Sequence, residues 1–217
     1  MFICIEGTDG SGKATQSRIL ADRLGAQLHS FPRYDTPVGQ VILHHLKGRV
    51  FLASHTPSPH LPCRAPSDAL AFQALMLADK CLAAKAINNE LARGCAVVCD
   101  RWIPSSLCYG AADGLDPALL SDMHVTLPKA DLNIFISVSP EEALRRRPEI
   151  RDRYELDREK QAAVRKQYEA LWAAGGAAYA TVNGEGTEEG VGPIESVAER
   201  IWKAVQMKFG VTGGAKR

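Results

Sequence analysis

No apolar run in this sequence approaches the ~18 residues that a membrane-spanning helix needs, so a helical membrane protein is excluded. Cys4, Cys63, Cys81, Cys95, Cys99 and Cys108 form no C-x-x-C pair and have no His-x-His partner, which removes the zinc and dithiol patterns. We read all six as reduced thiols of a reducing compartment, here the cytoplasm. Cys4, Cys95 and Cys99 lie in apolar runs, where a thiol acts as a small hydrophobe. An excess of one charge is also lacking: the formal net charge is +1. No overall field therefore recruits nucleic acid or a membrane surface, and any grip on anions must come from local arginines. Met1 to Glu6 shows no basic stretch leading into a long apolar segment, so no secretory leader is expected. There is no N-K-x-D stretch of the kind that reads guanine, which argues against a GTPase. His29, His44, His45, His55, His60 and His124 show no triad-like arrangement and receive no role.

What is present is ordinary globular usage, with 46% apolar and 24% charged residues in 217. We expect one domain over residues 1–210 and a polar tail over 211–217. Apolar runs at Phe2–Ile5, Ala26–Phe31, Cys95–Cys99, Leu132–Val138 and Ala178–Val182 read as strands. Helical patterns fall at Lys13–Leu24, Val38–Leu46, Asp157–Trp172 and Pro193–Lys208. Pro140–Arg147 reads as a helix start followed by an arginine-rich turn. A long helix is expected from an N-cap at Ser67 or Asp68 to about Arg93, with Gly94 as its stop. Phe51–Pro66, rich in Pro, Ser and His, reads as a surface loop. Strands that alternate with helices, and that are apolar on both faces, predict a three-layer, doubly wound α/β fold on a five-stranded parallel sheet. Ligands of such sheets bind at the carboxyl ends of the strands.

One motif sits at such an end. Gly7-Thr8-Asp9-Gly10-Ser11-Gly12-Lys13 follows a strand and opens a helix, as the G-x-x-x-x-G-K phosphate loop requires. Its glycines let backbone amides curl around phosphate oxygens, and the helix N-terminus and Lys13 add positive charge. Gly7, Asp9, Gly10, Ser11, Gly12, Lys13, Ala14 and Thr15 are the expected ATP-binding residues. Ala14 stands where the motif has the Ser or Thr that ligates Mg²⁺, and Thr15 comes one position later. The metal of ATP-Mg²⁺ must then be held through water, nucleotide oxygens or a carboxylate, with Asp9 and Asp100 as candidates.

Five stretches carry a resemblance beyond this loop: Ile5 to Gln16, Phe31-Pro32-Arg33-Tyr34, Ala78-Asp79-Lys80, Asp100-Arg101-Trp102 through Ser105-Ser106 to Tyr109, and Arg153-Tyr154-Glu155. Over about residues 2–205 the chain resembles the thymidylate kinase family. The resemblance implies transfer of the ATP γ-phosphoryl to dTMP, and a homodimer. It implies that Arg101 and Arg33 hold the acceptor's monophosphate, with Tyr34 beside Arg33. Asp100 then resembles a Walker-B carboxylate. Phe72, Met76 and Lys80 share a helix face that covers thymine in the family, where Met76 is often Phe and Lys80 often Arg. Ser105, Ser106 and Tyr109 are expected substrate-binding residues, with Tyr109 near the sugar, where it would favour deoxyribose by exclusion.

Arg145, Arg146, Arg147, Arg151 and Arg153 crowd into nine positions and repel one another unless an anion is near. We read residues 145–155 as a lid whose arginines neutralise charge on the transferred group. Family members with a basic residue after the loop aspartate need the lid less. Here that residue is Gly10, so the catalytic arginine is expected from the lid, as Arg147 or Arg151. Lys13, Arg101 and Asp9 complete the catalytic set. Two alternatives stand beside dTMP: another substrate such as dUMP or a deoxynucleoside, or a nucleotide-binding regulator without transferase activity.

Overall fold

The computed structural model describes residues 1–49, 66–146, 158–186 and 193–211. Five strands, β1 (Phe2–Glu6), β2 (Gln27–Ser30), β3 (Val97–Asp100), β4 (Leu132–Ser137) and β5 (Tyr179–Asn183), form one sheet in the order β2-β3-β1-β4-β5. Every pairing in it is parallel. The helices are α1 (Lys13–Leu24), α2 (Pro37–Leu46), α3 (Pro66–Ala92), α4 (Ile103–Ala112), α5 (Pro117–Met123), α6 (Pro140–Arg146), α7 (Arg158–Ala174) and α8 (Pro193–Phe209). Among the described residues no helix is long and apolar enough to cross a membrane.

Alternation along β1 explains the layers. All five of its residues are buried. Ile3 and Ile5 point to one face and pack with Leu20 of α1 and Ile201, Trp202 and Val205 of α8. Phe2 and Cys4 point to the other and pack with Ala83 and Ile87 of α3 and with Trp102. On that same face Phe135 of β4 stacks on Tyr168 of α7, ring centroids 5.0 Å apart. The central strands are thus covered on both sides, while β2 lies at an edge and is mostly exposed.

Three local features differ from the sequence reading, the first being helix α4, which none of the helical patterns above predicts. The long helix starts at Pro66, so Ser67 and Asp68 lie in its first turn rather than at its cap. Proline suits that first position because its missing N–H has no intrahelical partner to lose. The preceding 51–65 stretch lies outside the described residues. Helix α5 was not anticipated, although its signal was present: Asp116 accepts a hydrogen bond from the Ala118 amide and Pro117 opens the helix.

Register delivers the functional loops to one rim. Ile5 lies opposite Asp100, and Ser30 opposite Asp100 on its other side. The loops after β1, β2 and β3 therefore leave the sheet side by side. The chain runs from β1 to the β2 side of the sheet and later crosses from β3 to β4 on the other. In sheets of this topology a ligand crevice is expected where the connections diverge, beside β1.

His124, just after α5, is 2% exposed, and its Nδ1 lies 2.7 Å from the Leu120 carbonyl while its Nε2 is buried without a partner. Burial holds its pKa below the ordinary 6.5. The unfolded chain therefore binds more protons as pH falls below that value, and stability present above it is lost. We expect the unfolding free energy, measured by denaturant titration, to fall more steeply between pH 7.5 and 5 in the wild type than in His124→Gln, with a slope difference of up to about 1.4 kcal/mol per pH unit. Parallel curves would remove His124 from the acid response.

Candidate active site

The loop after β1 wraps Lys13 inward. Its Nζ donates to the Thr8 carbonyl at 3.0 Å and approaches Asp9 Oδ1 at 3.4 Å. Thr8, Ser11 and Lys13 are buried, whereas Gly12, Ala14 and Thr15 are exposed at the loop's open side. Gly10 has φ +83°, and a Cβ there would lie 2.4 Å from the Ala143 carbonyl oxygen of α6. Any side chain at position 10 thus meets both a left-handed backbone and the wall of a helix.

Across the rim, β3 ends in Asp100, and the chain turns sharply at Arg101. Arg101 has φ 66°, and no other non-glycine described residue has a positive φ. Its amide donates to the Ile5 carbonyl at 3.0 Å, which locks the turn to β1. The guanidinium donates to Asp9 Oδ1 at 2.6 Å, to Ser105 Oγ at 3.2 Å and to the Tyr109 hydroxyl at 3.4 Å. Tyr109 in turn donates to Asp9 Oδ2 at 3.2 Å, and burial pushes its phenol pKa well up, so the proton stays on the donor. Gln161 of α7 reaches the same carboxylate oxygen at 3.5 Å. Asp9 therefore gathers α1, α4, α7 and the β3 turn at one point. Asp100 is buried with Oδ1 unpartnered. Burial raises its pKa, against the pull of Lys13 and Arg101.

The third loop presents Arg33. Asp79 of α3 takes the Arg33 backbone amide at 2.9 Å and its Nε at 2.9 Å, and the Asp79 carbonyl takes a guanidinium NH₂ at 2.7 Å. Tyr34 beside it is 39% exposed. One position after Asp79, Lys80 is 1% exposed and donates to Ser106 Oγ at 2.8 Å. Burial lowers its pKa from 10.5 to about 8, against the pull of Glu6 and Asp79. Phe72 is buried with Ile42 and Leu46 of α2 and stacks on His45 at 4.6 Å, with Met76 half-buried beside it.

Ser105 and Ser106 are both buried. Ser105 gives its proton to Glu6 and accepts from Arg101. Arg147 and Arg151, the expected lid arginines, lie outside the described residues. Their neighbours Arg145 and Arg146 both pair with Glu142, and Arg146 also donates to the Gly184 carbonyl.

Sequence reasoning gave no role to Glu6, Asp79 or Tyr168. Each had a visible signal. Glu6 ends an otherwise apolar strand, and Asp79-Lys80 puts two opposite charges inside an apolar helix stretch. Tyr168 lies on the apolar stripe of α7, and its partner is known only from packing.

A family model described as thymidylate kinase matches residues 5–191. The chain is 31% identical over 220 residues to a thymidylate kinase of Solidesulfovibrio magneticus, covering 94% of this chain and 98% of that one. It is 31% identical over 175 residues to a thymidylate kinase of Schizosaccharomyces pombe, covering 78% and 76%. The solved structure of a thymidylate kinase from Candida albicans superposes with a TM-score of 0.75 at 27% identity, covering 95% of this chain and 91% of that one. The chain belongs to the thymidylate kinase family.

Proposed function

We infer that the chain transfers the γ-phosphoryl group of ATP to dTMP, giving dTDP and ADP. The observation that carries this reading is the 2.6 Å contact between Arg101 and Asp9. It brings an arginine fork and a phosphate loop to one rim, where two nucleotides can meet phosphate to phosphate. The loop amides, the N-terminus of α1 and Lys13 hold the donor phosphates. Arg101 and Arg33 grip the acceptor's phosphate, the second of them pre-aimed by Asp79. No covalent intermediate is needed, because alignment and charge neutralisation carry phosphoryl transfer. A side chain at position 10 would meet Ala143, so no arginine is supplied directly after Asp9, which supports Arg147 or Arg151 of the lid in that role.

Mg²⁺ fits the donor set in a limited way. Among the described residues no three His, Cys, Asp or Glu side chains converge to cage a metal. Asp100, with its unpartnered buried Oδ1, and Asp9 would hold the ion together with water and nucleotide oxygens. When bound, the ion neutralises charge on the transferred phosphoryl.

Phe72, Met76, Lys80 and Ser106 form the base side of this reading, and Tyr109 the sugar side. Lys80 supports it energetically. Lowering its pKa from 10.5 to about 8 costs about 3 kcal/mol at neutral pH, in a position where a methionine would be satisfied. A charge kept there at that expense points to a donor for a base carbonyl, directly or through the Ser106 hydroxyl it grips. A homodimer and a cytoplasmic setting belong to the same reading. The described cysteines, Cys4, Cys81, Cys95, Cys99 and Cys108, are free thiols, in keeping with a reducing compartment.

Incubation with ATP-Mg²⁺ and a panel of dTMP, dUMP and thymidine, read as ADP and phosphorylated product, tests the substrate. We expect dTDP as the main product; turnover of another acceptor without dTDP would overturn the reading. Lys13→Ala and Arg101→Ala should each lower kcat/KM by about 10²–10³-fold, because Lys13 neutralises the donor phosphates and Arg101 aligns the acceptor's. A near-normal rate in either variant removes that residue from the mechanism. Lys80→Met should raise Tm at pH 7 while weakening turnover of dTMP. The folded lysine deprotonates near pH 8 and the unfolded one near 10.5, so the wild type gains stability across that window. The advantage of the methionine variant should shrink accordingly, and a pH-independent difference would contradict the buried ammonium.

A further inference from the structure

Glu6, the last residue of β1, has no exposed surface. A carboxylate so placed needs its lone pairs filled. Oε1 accepts from the Trp102 amide at 2.8 Å, the Ser105 amide at 3.3 Å and the Cys4 thiol at 3.3 Å. Oε2 accepts from Ser105 Oγ at 2.5 Å and the Tyr168 hydroxyl at 2.8 Å.

Two of these donors are backbone groups at the start of α4. That helix has Trp102 as its N-cap, with no side-chain cap of its own, and Pro104 in its first turn has no N–H. A helix start leaves amides without intrahelical partners, and a carboxylate is the favourable group to meet them. Glu6 supplies from the neighbouring strand the cap that α4 lacks in its own sequence. The residue held just before this cap is Arg101, in its left-handed conformation. The Ile5 carbonyl holds the Arg101 amide, and Glu6 holds the Trp102 and Ser105 amides that follow. Ser105 then links Glu6 to the Arg101 guanidinium: its hydroxyl donates to the carboxylate and accepts from the arginine.

We propose that Glu6 is a positioning residue for phosphoryl transfer, one that sets the aim of Arg101 at the acceptor's phosphate without touching substrate. The proposal rests on the acceptor role of Arg101 given above. It makes a specific demand. Glu6 directly precedes Gly7 of the phosphate loop, so general damage to the sheet would impair ATP and acceptor alike. Loss of the Arg101 turn alone leaves the Lys13 bond to the Thr8 carbonyl in place and falls mainly on the acceptor.

Glu6→Gln tests this with little change of shape. Its carbonyl can still meet the two amides, but the charge is gone, and an NH₂ group faces the Ser105 and Tyr168 hydroxyls. We expect kcat/KM for dTMP to fall by about 10–100-fold, as misplacement of a gripping group does, while KM for ATP moves less than about threefold. Equal rises in both KM values, or a wild-type kcat/KM for dTMP, would overturn the proposal. If the variant does not fold, Ser105→Ala breaks the link from the carboxylate to Arg101 and should give the same acceptor-only pattern; an unchanged acceptor KM and kcat there counts against it. Hydrogen exchange at the Trp102 and Ser105 amides, followed by NMR without turnover, should be at least about tenfold faster in Glu6→Gln because a hydrogen bond to a charged acceptor has been weakened. Unchanged protection sinks the proposal even if the wild type prefers a monophosphate other than dTMP. Failure of the wild type to make dTDP is read separately and sinks only the substrate reading.

Discussion

The ion pair between Asp9 and Arg101 ties together, by side chains, two loops that leave neighbouring strands. One leaves β1 and the other leaves β3, strands that lie side by side with Ile5 opposite Asp100. The side chains of the pair are only 21% and 13% exposed. Removing one partner from such a pair leaves the other charge largely buried, at a cost of roughly 3–5 kcal/mol. Lys13, Tyr109 and Gln161 all converge on the same carboxylate, so the loop, helix α4 and helix α7 depend on one junction.

The sheet face beneath this junction changes character along its length. Phe2 and Cys4 of β1 meet α3 in an apolar layer, and one step further along the same face Glu6 is saturated by donors. Several polar groups at this depth find a partner from another element. Arg33 meets Asp79, Lys80 meets Ser106, and Ser105 meets Glu6. Asp100 departs from the pattern, with Oδ1 buried and unpartnered beside Lys13 and Arg101. An unsatisfied carboxylate oxygen next to a phosphate loop suits a group that works with bound nucleotide rather than with the protein alone.

Stability and the proposed function pull apart at Lys80. Its ammonium lies deep between α3 and α4, where an apolar side chain would cost less. Active sites store such costs, and the rest of the fold offsets them through two well-filled apolar layers.

Much of this was legible from residue order alone. The glycine spacing of the loop, the apolar runs of β1, β3 and β4, and the span of α1 are local patterns, and local backbone geometry follows from them. The arginine after β3 could be placed at the rim because parallel strands point their carboxyl ends one way. Partner choice was not legible. Glu6 finds Ser105 from 99 positions away, and Asp79 finds Arg33 from 46. Phe72 turns its ring to His45, a contact that exists only once α2 lies on α3. Sequence determined which groups could bind phosphate and on which element each would sit, because those depend on neighbours in the chain. Only tertiary structure decided which carboxylate faces which cation and how Arg101 is aimed, because burial, register and helix packing set those contacts together.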